Sequence, residues 1–188
     1  MEVIFLKTKE LIYAALFAAL IAVLGMIPPI PLGFIPVPIT AQTLGVMLAG
    51  CFLGKRMGAL SLIIFIILVV IGLPVLTGGR GGISVLVGPS AGYIFSFPIA
   101  AGLIGWYSEK IWPKVRTWKL VAINIIFGVL LVSLIGAPVM ALITNTSIWA
   151  GLVGALAFLP GDIIKAVIAA VITMQLKAIS PIEEKTQI

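Results

Sequence analysis

Phe158-Leu159-Pro160-Gly161-Asp162-Ile163-Ile164-Lys165 sets an acid and a base inside an apolar run that extends from Ile148 to Leu176. A charge held in hydrocarbon is costly even on the lenient insertion scales, so such residues face a bundle interior and serve a ligand or an ion. Asp162 and Lys165 are therefore the first candidates for function. Pro160 suits the first turn of a helix, where its missing N–H has no partner to lose, and Gly161 leaves the backbone open to close approach. On that reading Asp162 lies in a first helical turn, where the dipole favours an anion. The spacing of three puts Lys165 on the same face, within reach of Asp162. The competing reading is an ion pair that only holds helices together. It is disfavoured because a buried pair is a weak source of stability and expensive to keep.

Outward from this stretch, 62% of the 188 residues are apolar and 10% are charged. That lies far from the composition of soluble domains, and the apolar runs are long enough to span a bilayer. The chain reads as one integral-membrane domain, residues 1–188, an all-α bundle of six transmembrane helices. The spans fall at roughly 10–27, 40–54, 57–76, 90–107, 119–143 and 159–177. They nearly use up the chain, which leaves no room for a soluble catalytic domain. The net charge of +6 comes from residues scattered in short connections, with no separate basic domain, so no nucleic-acid partner is expected. One cysteine, Cys51, and no histidine make a zinc or transition-metal centre and an internal disulfide untenable expectations.

Orientation follows from the basic residues. With six spans, Lys7, Lys9, Lys55, Arg56, Lys110, Lys114, Arg116, Lys119, Lys177 and Lys185 gather on one side, ten of the twelve cations. The positive-inside rule makes that side, and both termini, cytoplasmic. The outer side then collects three features suited to ligand capture. The first is Pro28–Pro38, with five prolines in eleven residues, a stiff connection that sits at the surface or folds back as a lid. The second is Thr77-Gly78-Gly79-Arg80-Gly81-Gly82, whose glycines permit close backbone approach and whose arginine offers a planar fork to a carboxylate. The third is the Pro160-Gly161-Asp162 break.

Other polar residues stand at the ends of the spans. Thr40, Gln42 and Thr43 open the second, with helix capping as the plain alternative for Thr40. Gly88-Pro89-Ser90-Ala91-Gly92-Tyr93 opens the fourth, where Tyr93 has a cavity and a lipid interface as its two readings. Trp106, Trp112 and Trp118 are expected near the interfaces. Asn124, the one amide of the fifth span, is either a helix-to-helix bond or a pocket residue. In the first span Ala14, Ala18 and Ala22 recur every four residues and form a face for close helix approach, either inside the chain or on another subunit.

Val37-Pro38-Ile39-Thr40-Ala41-Gln42-Thr43, Gly78-Gly79-Arg80-Gly81-Gly82, Gly88-Pro89-Ser90-Ala91-Gly92-Tyr93 and Pro160-Gly161-Asp162-Ile163-Ile164-Lys165, taken together and in this order, resemble the biotin-specific BioY family. These are the substrate-capture (S) components of energy-coupling-factor (ECF) transporters. The resemblance covers nearly the whole chain. It implies high-affinity capture of biotin from outside a prokaryotic plasma membrane and delivery to a coupling transmembrane protein with two ATPases. It further implies that the small-residue face of the first helix meets the coupling protein. No cofactor is expected, since biotin is the substrate.

Biotin carries an apolar bicycle with a ureido group at one end and a carboxylate on a flexible chain at the other. A pocket for it needs acceptors for two N–H groups, a donor for the ureido oxygen, apolar walls and a cation near the mouth. Asp162 supplies the acceptor and Lys165 a donor. The two ends of biotin lie about 10 Å apart when extended, whereas an i,i+3 pair is separated by roughly half that, so Arg80 is the candidate for the carboxylate. Thr43, Gln42, Tyr93, Ser90 and Gly79 complete the expected binding set. A stand-alone secondary transporter with Asp162 as the ion-coupling group is the alternative. An intramembrane enzyme is disfavoured because no Ser/His, Cys/His or paired-carboxylate set is visible.

Overall fold

The computed structural model describes residues 8–186, with side chains to residue 183; Lys7 and the side chain of Lys185 lie outside the described residues. Among the described residues the structure is helical, and its extended pairings are two isolated antiparallel bridges. The helices are α1 (Thr8–Gly25), α2 (Gln42–Val70), α3 (Ala91–Ile111), α4 (Thr117–Ile143), α5 (Ile148–Gln175) and the short α6 (Pro181–Thr186). Helices α1, α2, α4 and α5 are long and apolar enough to cross a bilayer.

Helix α2 is folded on itself. Gly54 leaves the helical region with φ 83° and ψ −176°, a conformation that suits glycine. A Cβ added to Gly58 would lie 2.9 Å from the carbonyl oxygen of Ala49 and 3.2 Å from the Cα of Gly50. In one continuous helix, positions nine apart would be separated by about 13 Å. The arms 42–53 and 55–70 therefore run side by side. Glu109 of α3 secures the turn by accepting a hydrogen bond from the Lys55 backbone N–H at 3.0 Å. Gly54→Ala would meet both an unfavourable φ and the Glu109 carboxylate, and should destabilise the protein by about 1–3 kcal/mol. A lower melting temperature in detergent is the expected readout, and an unchanged one would contradict this account of the turn.

The second arm ends earlier than the sequence suggests, at Val70 rather than near Leu76. Gly72 has φ 96° and Pro74 has no N–H to continue the ladder. The region before Asp162 differs in the other direction. Where the sequence starts the last span at 159, Ile148–Ala155 is already α-helix, Leu156–Phe158 tightens to a 3₁₀ turn, and Leu159–Gln175 continues as α-helix. Phe158 is itself helical at φ −77° and ψ −26°, so Asp162 does not stand at a free helix N-terminus and the dipole argument for it lapses.

The alanine face of α1 requires a correction. Ala14 and Ala18 are 0% and 1% exposed within the single chain, and Ala22 is partly buried beside them. Their neighbour is the α2 hairpin. Ile21 fills the space over Gly45, and Phe17 stacks on Phe52 with ring centroids 5.7 Å apart. Close approach is what the small residues permit, but the helix that approaches is internal. Ala14 and Ala18 are therefore packed inside the chain, whereas Ala22 stays partly exposed.

Helix α3 lies between α2 and α4. At one end Gly105 sits on the backbone of the Gly54 turn, and at the other Gly92 abuts Val139 while Gly136 of α4 accepts the Tyr93 ring. Helix α4 is π-helical over Asn124–Leu131, a widening often found beside functional sites. Asn124 makes a helix-to-helix bond, donating to the Ala166 carbonyl of α5 at 3.1 Å and accepting from the Cys51 thiol of α2 at 3.1 Å. Near the Gly54 turn, Ser180 donates to the Phe52 carbonyl at 2.7 Å, and the Trp112 indole N–H donates to Glu183 at 2.7 Å. Trp112 is fully buried in the chain, whereas Trp106 and Trp118 are exposed.

Candidate ligand-binding site

At the end of the bundle remote from the Gly54 turn, the start of α2, the start of α3, the middle of α4 and the Phe158–Asp162 stretch of α5 surround a narrow cavity of about 60 Å³. Its walls are largely apolar, from Val37, Ile39, Leu76, Ile94, Phe97, Val132 and Phe158. Asp162 reaches it from α5. One carboxylate oxygen, Oδ1, accepts from the Lys165 ammonium at 2.7 Å and from the Thr43 hydroxyl at 3.0 Å. The other, Oδ2, has no hydrogen-bond donor among the described residues.

Lys165 has a different place from the one expected. Its three N–H donors go to Asp162 Oδ1, to the Thr40 carbonyl at 2.6 Å and to Thr43 Oγ1 at 3.2 Å. It does not line the cavity. An ammonium has three donors and all are used, so Lys165 is a positioning residue that holds Asp162 and the start of α2 together. This also accounts for Thr40, whose carbonyl binds Lys165 while its side chain caps nothing.

Gln42 lines the cavity but its amide is fully occupied. The two N–H groups go to the carbonyls of Ile21 at 3.3 Å and Val75 at 3.1 Å, and the oxygen accepts from the Thr77 hydroxyl at 2.9 Å and the Thr77 backbone N–H at 3.4 Å. Gln42 thus braces α1 and the loop after α2. Tyr93 and Ser90 line the cavity as expected. The Tyr93 hydroxyl is buried and has no hydrogen-bond partner among the described residues, while its ring meets Phe158 edge-on at 5.9 Å. An unpaired buried hydroxyl is expensive unless a ligand satisfies it.

Arg80 stands at the mouth. The Leu76–Arg80 bridge fixes its backbone, its Nε–H donates to the Thr77 carbonyl at 3.2 Å, and the rest of the exposed guanidinium has no partner among the described residues. Gly79 is next to it but outside the cavity. A Cβ there would meet open space, so its contribution is the left-handed φ of 70° that turns the loop.

A profile of the BioY family matches residues 1–181. The chain belongs to the BioY family. Two relatives similar to it over most of their length are the biotin transporter BioY of Rhizobium etli, 44% identical with 89% of this chain and 92% of the relative covered, and the probable biotin transporter BioY of Bacillus subtilis, 43% identical with 91% of each covered. Among solved structures, the crystal structure of the S-component for biotin from an ECF-type ABC transporter superposes with a TM-score of 0.87. It is 40% identical and covers 90% of this chain and 91% of that one. The S-component fold of this BioY-family chain is thus its membrane architecture.

Two polar residues at this cavity are not singled out by sequence reasoning. In the sequence Thr77 is only the edge of the glycine loop, whereas in the structure its hydroxyl fixes Gln42. Ser133 lines the cavity from α4, just beyond the π-helical segment, and is the one hydroxyl between Leu120 and Ile143. That isolation in an apolar run was the available signal.

Proposed function

We propose that this chain captures biotin from outside the cell and serves as the substrate-specific subunit of an ECF-type, ATP-driven importer. The observation that carries this reading is Asp162 in a largely apolar cavity with one oxygen locked by Lys165 and Thr43 and the other left for a ligand. A charged acceptor so held suits the ureido N–H groups, and hydrogen bonds to a charged group are about twice as strong as neutral ones. The buried Tyr93 hydroxyl and Ser90 face the ureido oxygen. Phe97, Phe158 and Val132 enclose the bicycle, and Arg80 receives the carboxylate. The cavity is smaller than the roughly 300 Å³ at the lower end of ligand pockets, so its walls move apart when biotin enters.

In this account the chain crosses the prokaryotic plasma membrane six times, through α1, the two arms of α2, α3, α4 and α5, with both termini cytoplasmic. It has no catalytic step, and ATP is hydrolysed on the two partner ATPases. The names of the relatives as biotin transporters and of the solved neighbour as an ECF S-component support this assignment. Arg80→Ala should weaken biotin by about tenfold, the worth of one charged hydrogen bond at an exposed mouth, and should weaken a biotin ester less. Equal losses for acid and ester would remove Arg80 from the carboxylate. The role as importer subunit is tested by biotin uptake in cells with and without a co-expressed coupling protein and ATPase pair. Uptake that depends on that module supports it, and full uptake without it would favour ion-coupled transport through Asp162.

A further inference from the structure

Beside the narrow cavity lies a second, more open hollow that shares part of its lining. This vestibule, about 400 Å³, is walled by Pro29, Pro31, Ile35 and Pro36 on one side and Gly78 on the other. It shares Pro38, Thr77 and Arg80 with the inner cavity. Each wall is clasped within its own segment. The proline segment is clasped by paired hydrogen bonds between Ile30 and Ile39, each 3.0 Å, and the glycine loop by those between Leu76 and Arg80, at 3.0 and 3.2 Å. Thr77 is held in addition by Gln42.

The chemistry of the two chambers differs. Asp162 and the unpaired Tyr93 hydroxyl belong to the inner one alone, so the group that is read in detail sits there. The vestibule contains no acidic side chain, and its prolines have no N–H to offer. It gives a flexible aliphatic chain a stiff apolar wall and asks for no polar group beyond Arg80. Arg80 itself bridges the chambers, so a carbonyl bound there lies at the boundary and whatever is attached to it runs outward among the prolines.

We propose that the site also binds biotin joined through its carboxyl group to an alkyl amine, the class of biotinyl-lysine and other biotin amides. This rests on the assignment of the inner cavity to the bicycle and of Arg80 to the carboxyl end. The guanidinium donates to the amide carbonyl, more weakly than to the free carboxylate, and the aliphatic extension occupies the vestibule.

The test is equilibrium competition against labelled biotin on the purified full chain, using unlabelled biotin and ε-N-biotinyl-lysine, for the wild type, Pro31→Trp and Pro36→Trp. Pro31 and Pro36 are exposed and lie outside the inner cavity, so each bulky ring fills the vestibule alone. The expected result is that the wild type binds the conjugate within about tenfold of biotin, and that at least one of the folded variants loses the conjugate by a further tenfold or more while keeping biotin affinity. A conjugate that fails to compete while biotin binds would overturn the vestibule and leave the biotin site standing. Conjugate binding unaffected by both ring substitutions would overturn it as well. Failure of biotin itself to bind the wild type would bring down the underlying assignment.

Discussion

Asp162→Asn and Lys165→Ala are each expected to abolish tight biotin binding. Lys165 gives all three donors to Asp162, Thr43 and the Thr40 carbonyl, and Asp162 presents its remaining oxygen to the cavity. Both side chains are largely shielded, at 14% and 11% exposure. Removing one partner of a buried pair leaves the other uncompensated, at about 3–5 kcal/mol, or roughly two to four orders of magnitude in Kd. The two substitutions fail for different reasons. Asp162→Asn replaces the charged acceptor for the ureido group, whereas Lys165→Ala frees a carboxylate and unties α5 from the start of α2. The double variant Asp162→Asn/Lys165→Ala should therefore bind no better than Asp162→Asn, because restored neutrality does not restore the acceptor. Isothermal titration of the purified variants measures this, and native-like affinity in either single variant would remove the pair from the site.

Ala14→Trp is expected to prevent accumulation of folded protein. Ala14 is 0% exposed where α1 meets the α2 hairpin, and inserting even a few methylenes into such a contact costs about 1–3 kcal/mol. An indole is far larger than that. The neighbouring Ala15 is exposed, together with Leu11, Ile12 and Leu16. Ala15→Trp should leave yield and biotin affinity unchanged, so that any loss of co-purification with the coupling protein reports on contact alone. Size-exclusion profiles of the two variants in detergent separate the cases. A monodisperse, biotin-binding Ala14→Trp protein would show that α1 does not pack as described.

Much of the site was legible because polar residues are scarce in this chain. Asp162, Lys165, Thr43, Tyr93 and Arg80 could be picked out against apolar surroundings, and the structure gathers all but Lys165 around one cavity. What could not be read was how each polar group spends its hydrogen bonds. Gln42 and Lys165 look identical in sequence to ligand-binding residues, yet every donor of each is taken, by carbonyls and a hydroxyl from segments far along the chain and, for Lys165, by the carboxylate three residues before it. The alanine spacing of α1 was equally clear, but a period of four gives a face and not the identity of what faces it. The turn at Gly54 fell where Lys55-Arg56 already marked a change of span. The tightening at Leu156–Phe158 had no such marker, because Pro160 is as acceptable in the first turn of a helix as after a loop.

The central claim is that the cavity around Asp162 is a biotin site, and direct binding of labelled biotin to the purified chain tests it, with excess thiamine and riboflavin as competitors. Saturable binding that unlabelled biotin displaces and the other two vitamins leave intact is the expected result. Absence of biotin binding by the folded protein, or displacement by thiamine or riboflavin as effective as by biotin, would contradict it.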